Sequence, residues 1–308
     1  MEMHLECPAR LAAAISGVPS WVDSITVSPA DEADIERIHP PRYIRMIRDL
    51  SALGGKRYVD PDTYITADTY GAALEAAGAS IEAVNHALSG IPSFALIRPP
   101  GHHAEPEQAM GYCIFNNVAI AAAHALTRIK RVAIIDWDLH HGNGTQKAFY
   151  SDDHVLFCSI HQVNTFPRTG WVDEIGAGHG KGYTLNAPVR EGSELSDYLY
   201  VFDEVFLPEI RRYAPDLVLI SAGFDPMYDD PVGGVRLRPE DFGVLTTRVR
   251  SVLRKPLALV LEGGYGPSIG LAVNSVYEVL GGSSADVPQY TPHENTKKVV
   301  AQLQKLIT

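Results

Sequence analysis

The residues best able to do chemistry stand in a few short clusters. Asp138 and His140 lie two apart in Asp136-Trp137-Asp138-Leu139-His140-His141-Gly142-Asn143-Gly144, a spacing that lets both side chains face one ion. Asp225, at the end of Ser221-Ala222-Gly223-Phe224-Asp225, would supply a third ligand. Two carboxylates and one imidazole leave coordination positions open for water and substrate, as in a catalytic rather than a structural zinc site. One zinc ion there could polarise an amide carbonyl and make water easier to deprotonate. Each of the three residues alone is better read as a helix cap or a loop residue. Their joint occurrence among glycines favours the metal.

Next to this triad, the adjacent His102 and His103 follow Pro99-Pro100-Gly101. In a cleft near a dication the two rings would have their proton affinities shifted, which is how acid–base pairs arise. A general base needs an orienting partner to fix its tautomer, and Asp136 and Asn143, flanking the metal motif, are the candidates. Tyr265 follows Gly263-Gly264. The glycines would let the backbone approach the site, and the phenol could stabilise an oxyanion alongside zinc. Taken alone, Gly-Gly-Tyr also describes an ordinary loop. The remaining histidines, His4 apart, read as caps, surface or core residues.

These clusters need a frame that brings them together. Apolar runs at 94–98, 132–137, 155–160, 216–221 and 257–261 are continuous rather than alternating, as in strands of a parallel sheet covered on both faces. Helical patterns occupy 69–88, 117–126, 195–213, 241–253, 269–280 and 296–306, with Gly90 placed to end the first of them. Strands alternating with helices indicate an α/β fold with a mostly parallel central sheet and helices on both faces. Neither a repeat nor a linker divides the chain, so 1–308 is expected to be a single domain. Four of the strands run directly into the polar clusters. Sites in open α/β sheets form beyond the carboxyl ends of strands, so the four clusters should converge.

Composition narrows the function classes. Lys and Arg number 26 against 37 Asp and Glu, a net charge of -11 that disfavours direct nucleic-acid binding and tolerates cationic substrates. Cys7, Cys113 and Cys158 are widely spaced with no Cys-x-x-Cys pair, a pattern suited to a reducing cytoplasm. Neither a leader nor an apolar run of ~18 residues supports secretion or membrane spanning. The expected location is cytoplasmic.

Five motifs, in order, resemble the histone deacetylase family within the arginase-deacetylase fold: Arg98-Pro99-Pro100-Gly101-His102-His103, Gly111-Tyr112-Cys113-Ile114-Phe115-Asn116-Asn117, the run from Asp136 to Gln146, Ser221-Ala222-Gly223-Phe224-Asp225, and Glu262-Gly263-Gly264-Tyr265. The resemblance covers roughly residues 4 to 281, and the Trp137 and Asn143 variants are similar to the class II branch and its bacterial relatives. It implies zinc on Asp138, His140 and Asp225. It makes His103 the general base and later the acid, with His102 on Asp136 acting mainly electrostatically. Asn143 would contact His103; being neutral, it should raise that imidazole's pKa less than the Asp of class I. Tyr265 would polarise the acyl carbonyl. Tyr112 and Phe166 would wall a narrow acyl-lysine tunnel, with Gly111, Val232 and Gly263 also lining it. A potassium ion would sit near Asp136, Asp138, His140 and Ser159.

The implied activity is a zinc-dependent amidohydrolase that removes acetyl or other short acyl groups from acyl-lysine peptides, proteins or small acylated amines. A homo-oligomer is compatible with the resemblance. In the family a strand and rim loop usually precede the segment matched by His4-Leu5-Glu6-Cys7-Pro8-Ala9-Arg10, so that first strand is expected to be absent or the chain shortened. Val232 stands where polyamine-specific members carry an acidic gatekeeper, which makes acetylated polyamines the lesser alternative. Two other readings compete: a non-catalytic acyl-amine binder, opposed by the intact set of polar residues, and a two-manganese ureohydrolase, for which the bridging aspartates are missing.

Overall fold

The continuous apolar runs do pair in parallel. The structure, a computed structural model, describes residues 4–307. A short antiparallel hairpin, β1 (Arg57–Tyr58) and β2 (Tyr64–Ile65), precedes six parallel strands. These are β3 (Ser93–Ala95), β4 (Val132–Asp136), β5 (Val155–Gln162), β6 (Thr184–Val189), β7 (Leu217–Ala222) and β8 (Leu257–Leu261). They form one sheet in the order β3-β8-β7-β4-β5-β6. Every residue of β4, β7 and β8 is buried, as a sheet covered on both faces requires. Among the described residues no strand comes before Arg57, and β3 is the sheet's edge on that side.

The helices depart from the sequence pattern where local chemistry intervenes. Thr69–Leu88 runs as one helix, and Gly90, at φ +97°, follows its end as a left-handed residue. Asn117–Ala125 starts on Asn116, whose side-chain oxygen accepts from the Ala119 amide at 3.0 Å. The pattern at 195–213 is not one regular helix. Leu195–Val201 passes through a π-helical turn, Phe202–Phe206, into Leu207–Tyr213. Pro208 lacks the N–H that would bond to the carbonyl of Glu204. That carbonyl accepts instead from the side-chain amide of Gln304, at 3.1 Å, on the last helix, Glu294–Ile307.

Two strand expectations also shift. The run at 94–98 shortens to β3, so that 96–98 leave the sheet and carry the chain toward His102 and His103. β6 escapes an apolar-run search because Asn186 and Pro188 interrupt it, and Pro188 is tolerated because β6 is an edge strand. What matters for function is the order of the sheet. β3, β8, β7 and β4 are consecutive neighbours, and they are the four strands that end in the polar clusters.

Candidate active site

Asp138 lies beyond β4, Asp225 beyond β7, and Gly263 beyond β8, so three adjacent strand ends meet at one point. One ligand atom from each of Asp138, His140 and Asp225 lies within 4.8 Å of the others. His140 Nδ1 is 3.0 Å from Asp225 Oδ2 and 3.3 Å from Asp138 Oδ1. Backbone amides hold the carboxylates in place: Leu139 N donates to Asp225 Oδ1, and Gly263 N to Asp138 Oδ2, each at 2.8 Å. A Cβ on Gly263 would stand 2.4 Å from Asp225 Oδ2 and 2.7 Å from Asp138 Oδ2, so only glycine admits this approach.

The donor set fits a dication. Two fully buried carboxylates this close repel each other and are poorly solvated. Burial first, and the Asp138 charge second, push the Asp225 carboxyl up to about 7. A doubly charged ion between them would relieve both costs. A second grouping, Asp152, Asp153 and His154, is largely exposed and has no such buried pair.

His102 and His103 stack against each other with ring centroids 4.0 Å apart, yet their environments differ in sign. Burial opposes charge on His102. Asp138, Asp136 and Glu262 around it outweigh burial and raise its pKa well above the usual imidazole range. Its Nδ1 donates to Asp136 Oδ2 at 3.0 Å. His103 is driven the other way, first by burial and then by the neighbouring His102 and His140. Its Nδ1 is 2.9 Å from Asn143 Oδ1. The Asn143 amide is oriented by Glu105, whose Oε1 accepts from Nδ2 at 3.1 Å. The oxygen therefore faces His103, whose Nδ1 must carry the proton, leaving Nε2 as the acceptor. Opposite shifts on two adjacent imidazoles are the division of labour expected of an acid–base pair.

A cavity of about 100 Å³ opens onto this point. Its walls bring together Gly111, Tyr112, Phe166, Val232 and Gly263 with the triad, both histidines and Tyr265. Phe166 meets His103 edge-on at 4.9 Å, and Tyr112 meets Tyr265 edge-on at 5.8 Å. Gly111, at φ +56°, passes so close that a Cβ would lie 2.6 Å from His103 Cδ2 and 2.8 Å from Phe166 Cε1. Tyr112 adopts φ +69°, an unfavourable conformation for a residue with a side chain. Burial raises the Tyr265 phenol well above its usual range, so the hydroxyl stays a donor. Ser159 lies beside Asp136 in the β4–β5 register, and both are buried, although Ser159 Oγ bonds to His161 Nδ1 at 2.9 Å.

Several residues that sequence reasoning left without a role hold this arrangement. Glu262 Oε2 accepts from the amides of Gly101 and His102, at 2.7 and 3.0 Å, fixing the turn before the histidine pair. Asp230 accepts from Tyr265 N at 2.5 Å, Gly266 N at 2.8 Å and Val232 N at 3.1 Å, joining the tyrosine loop to the opposite wall. The buried Arg10 donates to Gly264 O at 2.7 Å and to the Glu262 carbonyl, and pairs with Glu6 at 2.7 Å. Asp62 lines the mouth and is exposed. Backbone-clamping carboxylates have no characteristic spacing, which is why only their motifs were visible. His39, His141 and His161 are buried and hydrogen-bonded, as core residues.

Comparison with known proteins agrees with this geometry. The Histone deacetylase domain family matches residues 4–280. Histone deacetylase HDA1 of Candida albicans is 35% identical over 302 residues, which cover 92% of this chain and 35% of that protein. The histone deacetylase-like amidohydrolase of Pseudomonas aeruginosa is 37% identical over 284 residues, 88% of this chain and 74% of its own. The HD domain of HDA15, known from a crystal structure, is 33% identical with a TM-score of 0.93, over 99% of this chain and 88% of that one. The chain thus spans 35% of the length of the fungal relative and most of the bacterial one.

Proposed function

Because the chain belongs to the histone deacetylase family, we propose that it is a zinc-dependent amidohydrolase removing acetyl or other short acyl groups from acyl-lysine-like amines. The observation that carries this reading is the stacked histidine pair, each ring held by its own partner, beside three convergent metal donors at the base of a narrow cavity. Asp138, His140 and Asp225 would hold zinc. When bound, the ion supplies Lewis-acid polarisation of the acyl carbonyl and of water. His103 accepts the proton of the attacking water at Nε2 and later returns it to the leaving amine. Asn143 keeps that nitrogen proton-free, and Glu105 keeps Asn143 turned. His102 stays cationic on Asp136 and contributes positive charge near the developing oxyanion. Tyr265 donates its phenol proton as a hydrogen bond to the same oxygen.

The walls formed by Tyr112 and Phe166 select a slim acyl-amine, and Gly111, Val232 and Gly263 leave room for it. Val232 brings no carboxylate to its wall, which makes acetylated polyamines the lesser alternative to acyl-lysine peptides, although Asp62 places one carboxylate elsewhere on the mouth. A potassium ion near Asp136, Asp138, His140 and Ser159, a single catalytic domain over 1–308 and a cytoplasmic location belong to the same proposal. The test is turnover of a fluorogenic acetyl-lysine peptide by zinc-loaded protein. Zinc binding with no turnover on any acyl-amine would leave a binding protein instead.

A further inference from the structure

A much larger cavity, about 690 Å³, lies at the other end of the sheet. Lys130 and Arg131 precede β4, Tyr183 precedes β6, and Arg212 and Tyr213 end the helix Leu207–Tyr213, so this cleft borders the amino ends of the strands. Its volume is in the range of small-molecule sites.

The charge here runs against the rest of the molecule. The chain carries 37 acidic and 26 basic residues, yet Lys130, Arg131, Lys181 and Arg212 line the cleft against two carboxylates, Asp153 and Glu209. Glu209 and Arg212 pair with each other, which leaves Lys130, Arg131 and Lys181 against Asp153. Among the described residues, the Lys130 and Lys181 ammonium groups have no ion-pair partner. The wall behind them is firm. Arg131 lies over the Tyr213 ring at 5.5 Å, Tyr183 meets that ring edge-on at 5.5 Å, and the Tyr213 hydroxyl donates to Asp153 O at 2.9 Å. Asp216 anchors the segment from below, its Oδ2 accepting from the amides of Lys130 and Arg131 at 3.0 and 3.1 Å.

We propose that this cleft binds a small polyphosphate-bearing molecule, a nucleoside triphosphate or a free polyphosphate. Concentrated cations over a fixed wall offer charge-assisted hydrogen bonds to several phosphate oxygens, while the acidic remainder of the surface repels them elsewhere. The proposal stands apart from the hydrolytic reading, since no residue of the cleft lines the candidate active site.

The test uses the full zinc-loaded chain with excess magnesium, titrated against a fluorescent ATP analogue by polarisation. The expected result is saturable binding of one probe per chain, weakened as salt rises. It should also be weakened at least about tenfold in the double variant Lys130→Glu/Lys181→Glu. Both lysines are exposed, so the variant should fold and keep its deacylation rate. Unlabelled ATP and tripolyphosphate serve as competitors. Equal displacement identifies free polyphosphate as sufficient, and displacement by ATP alone identifies the nucleotide. No saturable binding, equal affinity in the double variant, or displacement by adenosine as effective as by ATP would overturn the proposal.

Discussion

Replacing Tyr265 with Phe removes one hydroxyl from the cavity wall and nothing else. The ring keeps its edge contact with Tyr112, and the loop stays anchored through the Asp230 carboxylate, which grips the Tyr265 backbone rather than its side chain. No hydrogen bond from another protein group ends on the phenol among the described residues, so its removal strands no buried partner. Stability should change little. The loss is confined to the transition state, where one oxyanion donor contributes roughly 2.7–4 kcal/mol, or about 100- to 1,000-fold in kcat. Steady-state kinetics on a fluorogenic acetyl-lysine peptide, with zinc content measured on the same samples, would read this directly. The expected pattern is a large fall in kcat, a nearly constant KM and unchanged zinc. Turnover within about threefold of the parent would refute the assigned donor.

His103→Ala should lower kcat by about 100- to 10,000-fold, with zinc retained; a pH–rate profile still showing the parent's acidic limb, where the base is lost to protonation, would place the base elsewhere. Gly263→Ala forces a methyl within 2.4 Å of Asp225 Oδ2 and should reduce zinc occupancy in a chelator competition, whereas an unchanged zinc affinity would mean that the loop yields easily. Asp197→Asn tests the C-terminal helix. Burial would raise the Asp197 carboxyl, but hydrogen bonds from Thr296, the Glu194 and His293 amides and the His293 ring outweigh it and hold the pKa below its usual range. A lowered folded pKa gives stability that is complete above the unfolded value, about 3.9, and fades as pH falls through the folded one. The variant should cost about 1–3 kcal/mol at neutral pH and lose less between pH 5 and pH 2 than the parent; parallel pH profiles in thermal melts would contradict the clamp.

The sheet and the site were legible in the sequence to different degrees, for physical reasons. β4, β7 and β8 announce themselves because both faces are buried, which demands unbroken apolar runs. β6 needs no such run at the edge, and Asn186 points its amide to Gln146 and the Glu174 carbonyl instead. The π-turn depends on Pro208 together with Gln304, about a hundred residues away, and no local pattern encodes that pairing. In the site, metal donors and paired histidines are visible because their chemistry restricts residue type. Glu262, Asp230 and Arg10 were not, because they act on backbone atoms that any sequence supplies. The opposed proton affinities of His102 and His103 emerge only from the surrounding carboxylates and burial.

On the proposed reading, zinc on Asp138, His140 and Asp225 is what enables this chain to hydrolyse acyl-amines. Metal analysis coupled to turnover tests it most directly: purified protein is stripped with chelator, reloaded with zinc in steps, and assayed on acetyl-lysine peptide at each step. Activity should rise in proportion to bound zinc and level off at one ion per chain. Asp225→Asn should show neither the zinc nor the activity. Full activity in metal-free protein, or activity that requires two manganese ions per chain, would contradict it.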